Sequence, residues 1–216
     1  MRIVIIGLGG IGGLLVNLVW KLCDNPQNEL ILIDGDEFEL GNMPRQYFKK
    51  IGNKAECWTK MIADFCPTCK LVSVPKFYPD FKIEERDAVL IGVDNHYVRR
   101  LINEDCKRLR NITVISGGNE LIDGNAQFFV IKDGIKVAGD FLDTYHPEIA
   151  KAELEKKKEE GCDRRPEPQF LVTNNLVVSA MVNILWAILN GTLPKYSEVY
   201  VDAEKNQMMP IFRQGR

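Results

Sequence analysis

The sequence predicts an α/β protein with a Rossmann-like, doubly wound and mostly parallel sheet. Three observations carry that expectation. Residues 3–20, "IVIIGLGGIGGLLVNLVW", set β-branched residues before clustered glycines and an apolar segment after them. Short apolar runs then alternate with segments of helical spacing. One of those runs, Ala88–Val93, is apolar throughout, the pattern of a strand covered on both faces.

Taken in order, Arg2–Ile6 reads as a strand, Leu8–Gly13 as a turn and Leu14–Cys23 as a helix. Glu29–Ile33 and Lys70–Val74 are strands on either side of the helical segment Asn53–Phe65. Ala88–Val93 is followed by a helix over Tyr97–Leu109 and a strand over Thr113–Ile115. Ala126–Lys132 and Ile135–Gly139 flank "KDG", which makes them an antiparallel hairpin extension. Gly139–Pro168 has little periodicity and reads as a crossover loop, with "KAELEKKKEE" as a solvated helix. Phe170–Leu189 should be a buried helix, and Glu198–Asp202 and Met208–Phe212 closing strands. The expectation is a single domain over 1–216. Residues 1–125 form its nucleotide-binding half, and 126–216 the hairpin, crossover loop, long helix and closing strands.

Composition narrows the function classes. At 45% hydrophobic the chain can bury one sizeable core. A net charge of −2 gives no field suited to nucleic acid or an anionic membrane surface. Six cysteines, Cys23, Cys57, Cys66, Cys69, Cys106 and Cys162, are too few and scattered for a disulfide framework, and a reducing cytosol is the simplest home. The charge-free run 3–20 is long enough to imitate a membrane span or signal peptide. Its early β-branched residues and clustered glycines instead favour strand, turn and buried helix.

"GLGGIG", Gly7–Gly12, satisfies G-x-G-x-x-G through Gly7, Gly9 and Gly12, with Gly10 beside them. Such glycines let backbone amides approach phosphate at a helix N-terminus. Asp34 ends the second strand at the distance expected of a ribose clamp. The usual owner of this pattern is an NAD-dependent oxidoreductase, but Arg45 and Lys54 suit a free triphosphate better. Asp94, in "GVDN", follows an apolar strand and could hold magnesium on the phosphates. Taken singly, Arg45 and Lys54 read equally well as solvated loop cations.

The glycine loop, "LIDGDEFELGNMPRQ", "GNKAE" and "GVDNHYVRRLIN" come in the order and spacing of one family. The chain resembles the ThiF/MoeB/ubiquitin-activating (E1-like) adenylyltransferase superfamily, strongly over about residues 1–130. The element Asn42, Arg45, Gln46 is the most specific part. The resemblance implies ATP-dependent adenylation of the C-terminal carboxylate of a ubiquitin-like or sulfur-carrier protein ending in Gly-Gly, by a homodimer. It implies that Asp34 holds the ribose, that Asn42, Arg45 and Gln46 line the phosphate site, that Lys54 neutralises polyphosphate and that Asp94 positions magnesium. Asp36 is acidic in the family but less directly tied to ATP.

The chain also departs from that pattern. Many members carry two CxxC pairs for zinc, whereas the only pair here is Cys66–Cys69, ahead of a strand, so zinc is not expected. An arginine-bearing arm before the first strand, common in the family, has no counterpart, so the expectation is that another residue replaces it, that a different partner supplies it, or that the ATP chemistry is slower. Cys162 lies in the crossover segment beside Arg164 and Arg165, cations that favour a thiolate. It is either an acyl acceptor or an ordinary surface thiol. Cys23, Cys57 and Cys106 are expected in the core, and His96 and His146 have no evident partner. The competing readings are the oxidoreductase, a non-catalytic partner subunit, and an enzyme activating a small-molecule or tRNA-linked carboxylate.

Overall fold

The structure, a computed structural model, describes residues 1–42, 46–48, 50–153 and 171–213. The first strand, β1 (Arg2–Ile6), leads directly into helix α1 (Gly10–Cys23). Then come β2 (Glu29–Ile33), a two-residue ribbon of β3 (Glu37–Phe38) and β4 (Gly52–Asn53), α2 (Lys54–Ile62) and β5 (Lys70–Val74). Next are β6 (Ala88–Ile91), α3 (His96–Cys106), β7 (Ile112–Asn119), β8 (Asp123–Lys132) and β9 (Ile135–Gly139). The last described elements are α4 (Pro147–Lys151), α5 (Leu171–Leu189), β10 (Glu198–Asp202) and β11 (Gln207–Ile211).

The main sheet runs β11-β10-β8-β7-β6-β1-β2-β5. Its members β5, β2, β1, β6 and β7 are parallel, while β8, β10 and β11 extend it antiparallel. The far edge of β8 is shared, with β10 opposite Asp123–Gln127 and β9 opposite Phe129–Lys132. The chain winds outward from β1 through β2 to β5, then restarts at β6 on the other side of β1. Ligands of doubly wound sheets bind at that reversal, off the strands' C-terminal ends.

Because strand side chains alternate, each strand feeds two cores. Ile3 and Ile5 face α1, α2 and α5, where Trp58, Leu15 and Met181 are fully buried. Val4 and Ile6 face α3 and α4, with Ile102, Phe129 and Ile149. Among the described residues, α5 is the one helix long and apolar enough to cross a membrane. Here Val177, Met181, Ile184 and Leu185 are buried on its inner face, and it packs against α1, β7 and β8.

Several expected boundaries move. Helix α1 begins at Gly10, not Leu14, so the glycine turn is partly helix. Strand β7 runs to Asn119 because Gly117, Gly118 and Asn119 pair with β8; "SGGN" reads locally as a turn, and the pairing overrides it. The β3–β4 ribbon and α4 are too short for periodicity to reveal. Most of the "KAELEKKKEE" run lies outside the described residues; its Lys151 ends α4.

Candidate active site

A cleft of about 740 Å³ opens at the C-terminal ends of β1, β2 and β6 and continues past the start of α3 to β8 and β10. Gly7, Gly9, Gly10, Asp34, Asp36, Asn42, Gln46, Lys54 and Asp94 all line it. One surface therefore gathers residues that sequence reasoning drew from four separate motifs.

The glycine loop is built by close approach. Gly7 has φ +83°, and a Cβ on Gly12 would lie 1.7 Å from the Gly7 carbonyl oxygen. A Cβ on Gly92 would fall 2.8 Å from the Gly12 nitrogen. These glycines seat α1 on β1 and β6, whereas a Cβ on Gly9 would meet nothing within 4 Å. No side chain caps α1 and no acid stands in its first turn. Its N-terminus is thus a free anion site facing the cleft.

Asp34, 7% exposed, ties this loop to β2. One of its oxygens accepts from the Leu8 amide at 2.6 Å and the other from the Asp36 amide at 2.8 Å. Burial pushes its carboxyl up, while the Lys54 charge and the two amides pull it down. A ribose would share oxygens that already hold the backbone, so Asp34 also shapes the loop. Lys54, 8% exposed at the start of α2, reaches Asp36 at 3.3 Å. The α2 cap Asn53 binds back to the Asp34 and Asp36 carbonyls at 2.8 and 3.1 Å, which sets Lys54 against the β2 end.

Asn42 sits on a 3-10 turn at Leu40–Asn42 and accepts from the Glu39 amide at 3.0 Å. The Gln46 side-chain oxygen is buried with no partner among the described residues, an acceptor left open inside the cleft. Arg45 and Cys162 lie outside the described residues.

Asp94 is exposed on the loop between β6 and α3, where Asn95 caps the helix by accepting from the Val98 amide at 2.9 Å. Beneath it is a residue the sequence reading missed. Arg99 is buried, and its guanidinium donates to the Val93 carbonyl at 2.9 Å and the Gly117 carbonyl at 2.8 Å. Burial lowers it to about 10, against the nearby Asp94 charge, so it stays cationic at neutral pH. "DNHYVRR" offered two adjacent arginines, and only their helical phase separates Arg99, turned inward, from Arg100.

His96 and His146, for which the sequence showed no evident partner, both line the cleft. His146 Nε2 meets Glu198 at 3.2 Å and Nδ1 meets Glu148 at 3.1 Å. The hydrogen bond to Glu198 raises His146 above its ordinary value. Burial alone would raise Glu198, but His146, Asn125 and Arg213 hold it below the usual carboxylate range.

The cysteines are sorted by burial. Cys23 and Cys106 are in the core, and burial pushes Cys23 up to about 11. Cys57, expected there too, is only half-buried, with its sulfur 3.7 Å from the Lys50 carbonyl. Cys66 and Cys69 are joined as a disulfide that the scattered spacing did not suggest. Among the described residues, no group of three His, Cys, Asp or Glu could hold a metal. A magnesium ion carried on nucleotide phosphates fits Asp94 without such a group, since it needs one or two carboxylates and keeps waters.

Fold and cleft together define an α/β protein with a doubly wound sheet whose cleft holds an uncapped helix N-terminus, a buried lysine and, across the strand reversal, a carboxylate. The ThiF family model matches residues 1–214, and the chain belongs to that family. It is 30% identical over 168 residues to the Nedd8-activating enzyme E1 catalytic subunit of Drosophila melanogaster, covering 68% of this chain and 36% of that protein. It is 28% identical over 130 residues to the adenylyltransferase and sulfurtransferase MOCS3 of Drosophila virilis, covering 56% and 28%. The chain thus spans about a third of the length of these curated relatives. Among solved structures, E. coli MccB superposes with a TM-score of 0.71 at 18% identity, over 99% of this chain and 63% of that one, a likeness of fold.

Proposed function

We propose that this protein adenylates the C-terminal carboxylate of a ubiquitin-like or sulfur-carrier protein, using MgATP. The observation that carries the reading is one cleft holding an uncapped helix N-terminus, buried Lys54 and, across the β1–β6 reversal, Asp94. ThiF family membership and its two adenylating or activating relatives support it.

In this reading the α1 amides hold phosphate oxygens, and Lys54 neutralises charge as pyrophosphate leaves. Asn42 and Gln46 line the polyphosphate path, where the open Gln46 oxygen would accept from a water or nucleotide group. Arg45 is proposed to join them, and Asp34 to meet the ribose. Magnesium, when bound through Asp94, screens the phosphates. The substrate carboxylate attacks the α-phosphorus, the bond to pyrophosphate breaks, and an acyl-adenylate remains. Catalysis is by position and charge, with no protein nucleophile in this step. A following thioester on Cys162, a homodimer, a cytoplasmic location and one adenylation domain over 1–216 belong to the same proposal.

Nucleotide choice tests it. MgATP should raise the thermal midpoint, and NAD should not. Protection by NAD and none by MgATP would return the cleft to an oxidoreductase.

A further inference from the structure

The two helices that serve the nucleotide end of the cleft meet again at a junction on its far side. Helix α1 offers its N-terminus to the cleft and closes at Asp24. Helix α2 begins with Lys54, and the chain leaving it enters the turn Cys66–Cys69, "CPTC". At nine residues α2 is about 13 Å long, so one short, stiff helix separates Lys54 from that exit.

Asp24 is the hub of the junction. One of its oxygens accepts from the Thr68 amide at 3.2 Å and from the Thr68 hydroxyl. The Trp20 ring of α1 packs on Phe65, with centroids 6.2 Å apart. The Cys66 amide donates to the Ile62 carbonyl at 2.9 Å, which couples the turn to α2. Cys66 and Cys69 belong to the same buried core as Trp58 and Cys23, while Pro67 and Thr68 are on the surface. Between junction and cleft the helices have no slack, because a Cβ on Gly13 of α1 would lie 3.0 Å from the Trp58 ring of α2. A shift at the exit of α2 is therefore passed along the helix rather than absorbed.

The Cys66–Cys69 disulfide is placed to be reversible. Asp24 Oδ1 lies 3.8 Å from the Cys66 sulfur and the Trp20 carbonyl 4.0 Å from it, so a reduced Cys66 thiol finds acceptors in place. A bridge that closes so short a loop constrains the unfolded chain least, which makes it a poor structural staple. In the cytoplasmic location proposed above, such a bridge is transient and redox-sensing. The Thr68 hydroxyl holds Asp24 below its ordinary value, so its charge turns an incoming thiolate away from Cys66 and onto Cys69.

We infer that Cys66 and Cys69 form a reversible dithiol–disulfide site whose oxidised form holds α2, and with it Lys54, in place for MgATP. The inference rests on the adenylation reading, which puts the phosphates between the α1 N-terminus and Lys54. The reductant is a dithiol, small or protein-borne. Its thiolate bonds to the Cys69 sulfur as the Cys66–Cys69 bond breaks, and Cys66 leaves with the electron pair and takes a proton. The donor's second thiol then displaces Cys69, which takes that thiol's proton, and the donor departs as a disulfide. The Cys66 thiol now competes with Thr68 for Asp24, the turn loosens, and Lys54 loses its fixed position.

The test poises the purified protein in mixtures of oxidised and reduced dithiothreitol. Mass mapping of maleimide-labelled thiols, MgATP titration and amide hydrogen exchange are read at each poise. Cys66 and Cys69 should become labelled together. On reduction the MgATP Kd should rise at least about threefold, and amides of α2 and of the turn should exchange at least about threefold faster. The double variant Cys66→Ala, Cys69→Ala should match the reduced parent at every poise, with the reduced parent as the check that needs no substitution. Equal affinity and equal amide exchange in the two states overturn the inference and leave adenylation standing. MgATP bound in neither state, with α2 exchange still redox-dependent, removes the nucleotide reading while the thiol site and its hold on α2 stand. Full labelling of both cysteines at the most oxidising poise overturns the site itself.

Discussion

Arg99 ties two strand ends together, and its removal has a calculable effect. The guanidinium bridges the Val93 carbonyl, just after β6, to the Gly117 carbonyl of β7, at 2.9 and 2.8 Å, in a site where the residue is 8% exposed. Hydrogen bonds from a charged donor contribute about 1.5–3 kcal/mol each. Two at the lower bound amount to about 3 kcal/mol for Arg99→Leu, because no described side chain replaces the lost donors and leucine's own burial offsets only part of the loss. Arg99→Lys keeps the charge but not the planar fork, so it should lose about half as much. Urea unfolding of the three proteins gives these differences directly. Val93 adjoins Asp94, so any exchange activity should fall along with stability. A leucine variant within about 0.5 kcal/mol of the parent would refute the reasoning that the bridge holds the site's frame.

Other expectations follow from single contacts. Gly12→Ala sets a Cβ against the Gly7 carbonyl, a backbone atom that cannot swing aside, so MgATP protection in a thermal-shift assay should disappear; full protection would mean the loop is not the phosphate site. His146 is raised above its ordinary 6.5 in the folded state, so its contribution is complete below about pH 6.5 and is lost as pH rises through the raised value. Unfolding free energy should therefore fall more steeply above pH 6.5 in the parent than in His146→Gln, and equal slopes would remove His146 from the account. Cys162→Ala should still release pyrophosphate with a cognate carrier while losing any thiol-sensitive adduct; an adduct that persists places the acceptor elsewhere.

What the sequence made legible was local. The glycine loop, Asp34, Lys54 and Asp94 each sit at a strand end or helix start, where a few neighbouring residues determine position, and the structure brings them into one cleft. The parallel order was readable from continuous apolar runs such as Ala88–Ile91, buried at every residue. The rest depends on distant pairing. His146 meets Glu198 across 52 residues of sequence, and Gln127 faces Glu198 only because β10 pairs with β8. Arg99 drew no reading of its own, because its two carbonyl partners lie on β7 and at the end of β6. Asp34 read as a ligand residue, yet its oxygens also hold two backbone amides, a second duty no spacing reveals. Cys66 and Cys69 lay in the wrong place for the family's zinc pair, and folding joins them to each other.

The central claim is that this cleft adenylates a protein's terminal carboxylate. Exchange of labelled pyrophosphate into ATP, driven by a purified ubiquitin-like or sulfur-carrier protein ending in Gly-Gly, measures it most directly. Exchange should require both magnesium and the carrier's free C-terminus, and Asp94→Ala should abolish it while the urea-unfolding curve stays that of the parent. Exchange at the parent rate in a folded Asp94→Ala variant, with the same carrier, would contradict the account.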